Sequence, residues 1–199
     1  MATHTDIPSW QSYRSRSWSL LTVLTFIGVV FHERAHEAIC RWAGVRIHAL
    51  RYFRLGTPAG YVQHNRPTRY RTQVLITIAP LVVNACLAFC LFVAVGMYHQ
   101  RYGIPPLDWA PPLKTLAVGG ACWIGVSCGV HAFPSEQDIK NLWTDTRRRF
   151  PQQLSVILGL PIIGGLYALT RVETVWGDVV FAGGLAAVAW YVVVPGVPM

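Results

Sequence analysis

The stretch Val30-Phe31-His32-Glu33-Arg34-Ala35-His36-Glu37 carries a His-Glu-x-x-His pattern. It directly follows Trp18-Ser-Leu-Leu-Thr-Val-Leu-Thr-Phe-Ile-Gly-Val-Val-Phe31, an apolar run without a charge. Helical spacing puts residues i and i+4 on one face, so His32 and His36 can offer two imidazoles to one metal ion. Glu33 is rotated about 100° further round and can reach a water on that metal. Two neutral ligands leave zinc strongly Lewis acidic, and the carboxylate can take the proton that the ion makes labile. The ordinary alternative is a pair of helix-surface histidines near a membrane interface. What sets this copy apart is its place in, or at the edge of, a membrane helix.

Composition agrees with that setting. The chain of 199 residues is 53% hydrophobic and 13% charged, against about 25% charged in ordinary soluble domains. A net charge of +8 could suggest nucleic acid. The arginines, however, lie mostly in loops flanking apolar segments, where they meet lipid headgroups and set topology. Cys40, Cys86, Cys90, Cys122 and Cys128 lie in or beside apolar segments with no C-x-x-C pair. They read as small buried residues in helix packing, not as a disulfide framework.

The expected fold is an all-α polytopic membrane protein of about five transmembrane helices, with a small β-hairpin against the membrane. Residues 1–16 form a polar tail, and residues 17–194 a single membrane-embedded domain. The metal helix runs over 17–43 and stops at Gly44. A signal peptide is the alternative for its first half, but the metal motif stands where a small-residue cleavage site would be. Residues 45–65 have β-branched and aromatic character around the turn Leu55-Gly-Thr-Pro-Ala-Gly60, so Gly56 and Gly60 are placed in a hairpin turn. A second span covers 73–98, with a kink expected at Pro80 and a polar Asn84 that needs a partner in hydrocarbon. That partner is either a neighbouring helix or the active site. A third span begins at 113 and, with the polar helix after it, reaches 148. The third span ends in His131-Ala-Phe-Pro-Ser-Glu-Gln-Asp138, where Ser135 and Asp138 stand in capping-box spacing. Spans over 154–170 and 175–194 complete the domain and carry no histidine or cysteine.

Charge counting gives an orientation. With five spans, one side holds Arg14, Arg16, Arg101, Lys114 and Arg171. The other holds Arg41, Arg46, Arg51, Arg54, Arg66, Arg69, Arg71, Lys140, Arg147, Arg148 and Arg149. The positive-inside rule puts the second side in the cytoplasm and the N-terminus outside. The ends of the first and third spans then emerge together, with His32, His36 and the 131–138 stretch at similar depth.

These features together resemble the site-2 proteases, intramembrane zinc metalloproteases with a core of three transmembrane helices. His32-Glu33-x-x-His36 matches the motif on their first core helix. The 45–64 stretch matches in kind the membrane-associated β-hairpin that follows it. Ala79-Pro80-Leu-Val-Val-Asn84 is similar to their Gly-Pro-x-x-Asn motif, with Ala for Gly and one extra residue before Asn. Phe133-Pro134-Ser135-Glu136-Gln137-Asp138 stands where their zinc-binding Asp is found, without the usual Leu-Asp-Gly. The resemblance, that of a divergent member, covers roughly residues 18–145. It implies one Zn2+ per chain held by His32, His36 and Asp138, with Glu33 as general base.

Other assignments stay open at this point. His131 is an apt ligand in place of Asp138, or a partner of the ligands. Asp138 also fits a purely structural capping role. Glu37 and His64 are candidates for an outer layer around the metal, and Asn84, Gly56 and Gly60 for contact with substrate. Three functions are compatible: an endopeptidase cutting a membrane-spanning or membrane-proximal peptide near the cytoplasmic face, a non-catalytic metal-binding scaffold, and a metal or solute transporter using His32, His36, His131 and Asp138. Glu33 separates them, because a base beside two zinc ligands has little purpose in a scaffold. The partners expected are a membrane protein or peptide substrate and the bilayer. Homo-oligomerisation is left open and nucleic acid is set aside.

Overall fold

The computed structural model describes residues 20–103, 113–150, 156–157, 159–161, 163–165 and 175–194. The tail at 1–16, most of the Pro-rich loop and most of the span expected over 154–170 lie outside the described residues. What is described is mostly helical with one two-stranded sheet.

The first helix comes in two pieces, α1 (Leu20–Leu24) and α2 (Phe26–Trp42), so the unbroken helix expected over 17–43 is interrupted at Thr25. The cause is local and tertiary. The Thr25 hydroxyl bonds back to the Leu21 carbonyl at 2.6 Å, a bond that bends helices. The Leu24 carbonyl is taken by the indole N–H of Trp123 at 2.7 Å. At its other end α2 closes in a Schellman motif: Val45 N–H donates to Cys40 O and Gly44 N–H to Arg41 O, with Gly44 at φ 68°.

Strands β1 (Ile47–Arg51) and β2 (Tyr61–His64) pair antiparallel, Arg51 opposite Tyr61 and Ile47 opposite His64, with an irregularity around His48. Next comes α3 (Tyr70–Tyr102), 33 residues that continue through Pro80, roughly 50 Å at 1.5 Å per residue. Helices α4 (Leu113–Val130), α5 (Glu136–Arg149) and α6 (Val175–Val193) complete the described elements. Among the described residues, α3 and α4 are long and apolar enough to cross a membrane, and Gly177–Val193 of α6 is a shorter apolar stretch.

Helix α3 is the hub, packing on α2, α4, α5 and α6. Ala88 and Phe92 of α3, Cys128 of α4 and Ala189 of α6 form one buried cluster. Tyr70, Leu142, Val156 and Ile163 form another where α5 meets the start of α3. The polar helix α5 is pinned there by Asp145, 2% exposed. Asp145 takes the Arg149 Nε–H at 2.9 Å, and Arg149 also donates to the Pro67 and Thr68 carbonyls. Cys40 and Cys128 are buried, as expected of packing residues, but Cys86 and Cys90 are exposed on α3. Among the described residues, nothing buries the stretch of the apolar α3 face on which they lie.

The tightest helix crossing is at Gly28, where any Cβ would overlap the Ser127 carbonyl of α4. Small residues at such a crossing let backbones touch. Gly28→Val should therefore separate α2 from α4 and destabilise the protein by about 1–3 kcal/mol, the usual range for overpacking. Thermal unfolding in detergent, compared with Gly119→Ala, where a Cβ would meet nothing within 4 Å, measures it.

Candidate metal centre

Helix α2 puts His32, Glu33, His36 and Glu37 on its buried side, each at most 8% exposed. Four such polar groups on one helix need partners, and those partners define the site. His32 Nδ1 lies 2.9 Å from the His131 carbonyl, and His36 Nδ1 lies 2.9 Å from the Ile76 carbonyl. A carbonyl can only accept, so both rings carry their proton on Nδ1. Both Nε2 atoms face Asp138, and in the neutral ring each offers a lone pair. Asp138 Oδ2 is 3.4 Å from His36 Nε2 and 3.9 Å from His32 Nε2.

All three ligand atoms lie within 4.8 Å of one another. Two donors on one tetrahedral zinc, at bond lengths near 2.0–2.1 Å, stand roughly 3.4 Å apart. The His36–Asp138 pair already has that spacing, and the His32–Asp138 pair needs a few tenths of an ångström. Two imidazoles with preset tautomers and one carboxylate form a set that suits zinc with an open fourth position. It is the one such group among the described residues. Burial by itself would raise the Asp138 carboxyl, but protons on the Nε2 atoms of His36 and His32, whose place a metal would take, outweigh it and hold the group well below the usual carboxylate range. The ligand oxygen is therefore ionised.

Asp138 is also half of a capping box. Ser135 N–H and Ser135 Oγ–H donate to its Oδ2 at 2.9 and 2.6 Å, while Asp138 N–H donates to Ser135 Oγ at 3.2 Å. Capping and ligation, alternatives on sequence grounds, are compatible here. The cap fixes the carboxylate rotamer, and the same oxygen points at the histidines.

The remaining candidates take different places. The ring of His131 is not among the ligands. Its Nε2 pairs with Thr25 Oγ1 at 2.8 Å, at the α1–α2 break, and its contribution to the site is its main-chain carbonyl. Asn84, fully buried, donates from Nδ2 to that carbonyl at 2.8 Å and to Gly28 O at 3.1 Å. It stands behind His32 and ties three helices together. The Glu37 carboxylate accepts from Arg41, Arg34 and the Tyr52 hydroxyl, and so fastens α2 to the end of β1. His64 of β2 donates from Nδ1 to the Asn65 carbonyl, and burial pushes its ring below the ordinary histidine range, so it is neutral at pH 7. Gly56 sits in the turn beside Arg54, whose guanidinium donates to the Thr57 and Pro58 carbonyls.

Gly60 is the hairpin residue that meets the site. A Cβ there would lie 2.7 Å from Glu33 Cγ and 2.9 Å from the Tyr52 carbonyl. The hairpin also joins the start of α2 through Phe53 on Phe26, which in turn packs on Trp123. Sequence reading passed over Tyr52, Thr25 and the Ile76 carbonyl. Only the last left a trace, a proline four residues downstream.

No protein-family model matches the chain, and no curated protein or solved structure shows significant similarity to it.

Proposed function

We propose that this protein is an intramembrane zinc metalloendopeptidase that hydrolyses a peptide bond of a membrane-spanning or membrane-proximal substrate. The observation that carries the reading is the convergence of His32, His36 and Asp138 from two separate helices, with a buried Glu33 beside them that is not one of the three. Such an acid, held out of the ligand set and covered by a hairpin, has little purpose in a scaffold, and a transporter would use it only as a further ligand.

Bound to those three ligands, zinc would supply Lewis acidity to a carbonyl and to a water. The chain's own groups do the rest. Glu33 takes a proton from the attacking water and returns it to the leaving amine, so that water adds across the C–N bond. The His131 and Ile76 carbonyls hold the imidazole planes, and Ser135 holds the Asp138 carboxylate. The hairpin restricts approach to Glu33 and keeps the base away from bulk solvent. The deciding measurement pairs zinc content of the purified protein with cleavage of reconstituted transmembrane peptides. His36→Ala should abolish both. Cleavage that persists in the zinc-free variant would refute the reading.

We further propose five spans, with the N-terminus outside and the site opening to the cytoplasm, supported by the basic residues gathered on the 41–71 and 140–149 segments. Single cysteines at Ser9 and Thr68, in a background without the five native ones, should label from opposite sides. Labelling of Ser9 from the cytoplasmic side alone would overturn the orientation.

A further inference from the structure

Both histidines of the candidate metal centre are oriented by carbonyls, and the one that holds His36 lies inside a helix just upstream of a proline. In an α-helix the carbonyl of residue i takes the N–H of residue i+4. Four residues after Ile76 stands Pro80, inside α3, which has no N–H to give. The carbonyl left without that donor is the one that accepts His36 Nδ1–H at 2.9 Å. The His131 carbonyl is a different case: it lies past the end of α4 and takes Asn84 Nδ2–H at 2.8 Å beside His32 Nδ1–H.

We infer that Pro80 is a positioning residue: by withholding a backbone N–H, it leaves the buried Ile76 carbonyl to fix the tautomer and ring plane of His36, one of the two metal-ligating histidines. A buried carbonyl without a donor is costly in a dry interior. The carbonyl therefore demands a proton on Nδ1, which leaves the Nε2 lone pair for the metal. An imidazole in the other tautomer would both strand the carbonyl and block the ligand position. Helix α3 is continuous through Pro80, and Pro80 is fully buried between packed helices. Its missing donor has a use at this site that no other residue type would serve.

The inference rests on the metal-site reading but not on proteolysis, and its test reads zinc binding alone. The full-length protein in detergent is titrated with zinc against a chelator of known affinity. Pro80→Ala restores an N–H that competes for the Ile76 carbonyl. It should weaken zinc binding about 10- to 100-fold, the usual cost of losing an outer-layer partner. The α-hydroxy acid analogue of alanine at position 80 has neither ring nor N–H, and should bind zinc nearly as the unmodified protein does. Wild-type affinity in Pro80→Ala would overturn the proposal. So would an ester variant as weak as Pro80→Ala, since Pro80 would then act through its ring. An unmodified protein that takes no zinc would instead fell the metal reading, and this inference with it.

Discussion

Glu33→Gln should retain zinc and the fold but lose cleavage by roughly 10²–10⁴-fold, the usual contribution of a positioned general base. The amide has nearly the same shape as the carboxylate, so contact with Gly60 survives. It cannot accept a proton from water. None of the three candidate ligand atoms is touched, so zinc content should match that of the unmodified protein. His36→Ala contrasts with it by removing a ligand and the donor to the Ile76 carbonyl together. Turnover of reconstituted transmembrane peptides, run beside elemental analysis, separates the two variants. Undiminished cleavage by Glu33→Gln would remove Glu33 from the chemistry and revive a scaffold or transporter role for the metal group.

The metal helix was legible because its chemistry is periodic. His32 and His36 are one turn apart, Gly44 stops the helix, and an apolar run precedes them. The hairpin was legible from β-branched residues around a Gly- and Pro-rich turn. Its strands prove shorter than the extended stretch suggested, because pairing is confined to Ile47–Arg51 and Tyr61–His64. Asp138 could be named but not secured, since its spacing from Ser135 speaks equally for a cap. Only the fold reveals that the oxygen used in the cap also faces both histidines. Asn84 was ambiguous for a similar reason: a polar residue in an apolar run needs a partner, but the run does not say which. Two main-chain carbonyls, Gly28 and His131, are the answer. The break at Thr25 and the Tyr52 tether to Glu37 left no mark in the sequence. Both depend on partners that are distant along the chain, Trp123 and His131 for the first and α2 for the second.

Gly60→Val should reduce cleavage at least 100-fold while leaving zinc bound. The reason lies in how an extended substrate must sit. A membrane helix shields its peptide bonds, so a segment has to unwind before hydrolysis, and each unpaired backbone group in lipid costs several kcal/mol. The sheet of β1 and β2 is the only strand pair among the described residues, and it offers edges to which such a segment can add. We propose that substrate pairs there while its scissile bond faces the metal. Gly60 is where this surface meets the base, with Glu33 Cγ at 2.7 Å and Glu33 Oε1 at 3.0 Å from a would-be Cβ. Real Cβ atoms do not approach so closely, so a valine must push Glu33 aside or lift the hairpin. Neither movement touches His32, His36 or Asp138, and zinc content should hold. Gly56→Ala supplies the control. Its surroundings are the flexible Arg54 side chain at 3.6 Å and beyond, so it should cleave within a few-fold of the unmodified protein. Equal losses in both variants would mean that the hairpin acts only through its overall stability. Full activity in Gly60→Val would show that it does not stand against the catalytic base at all.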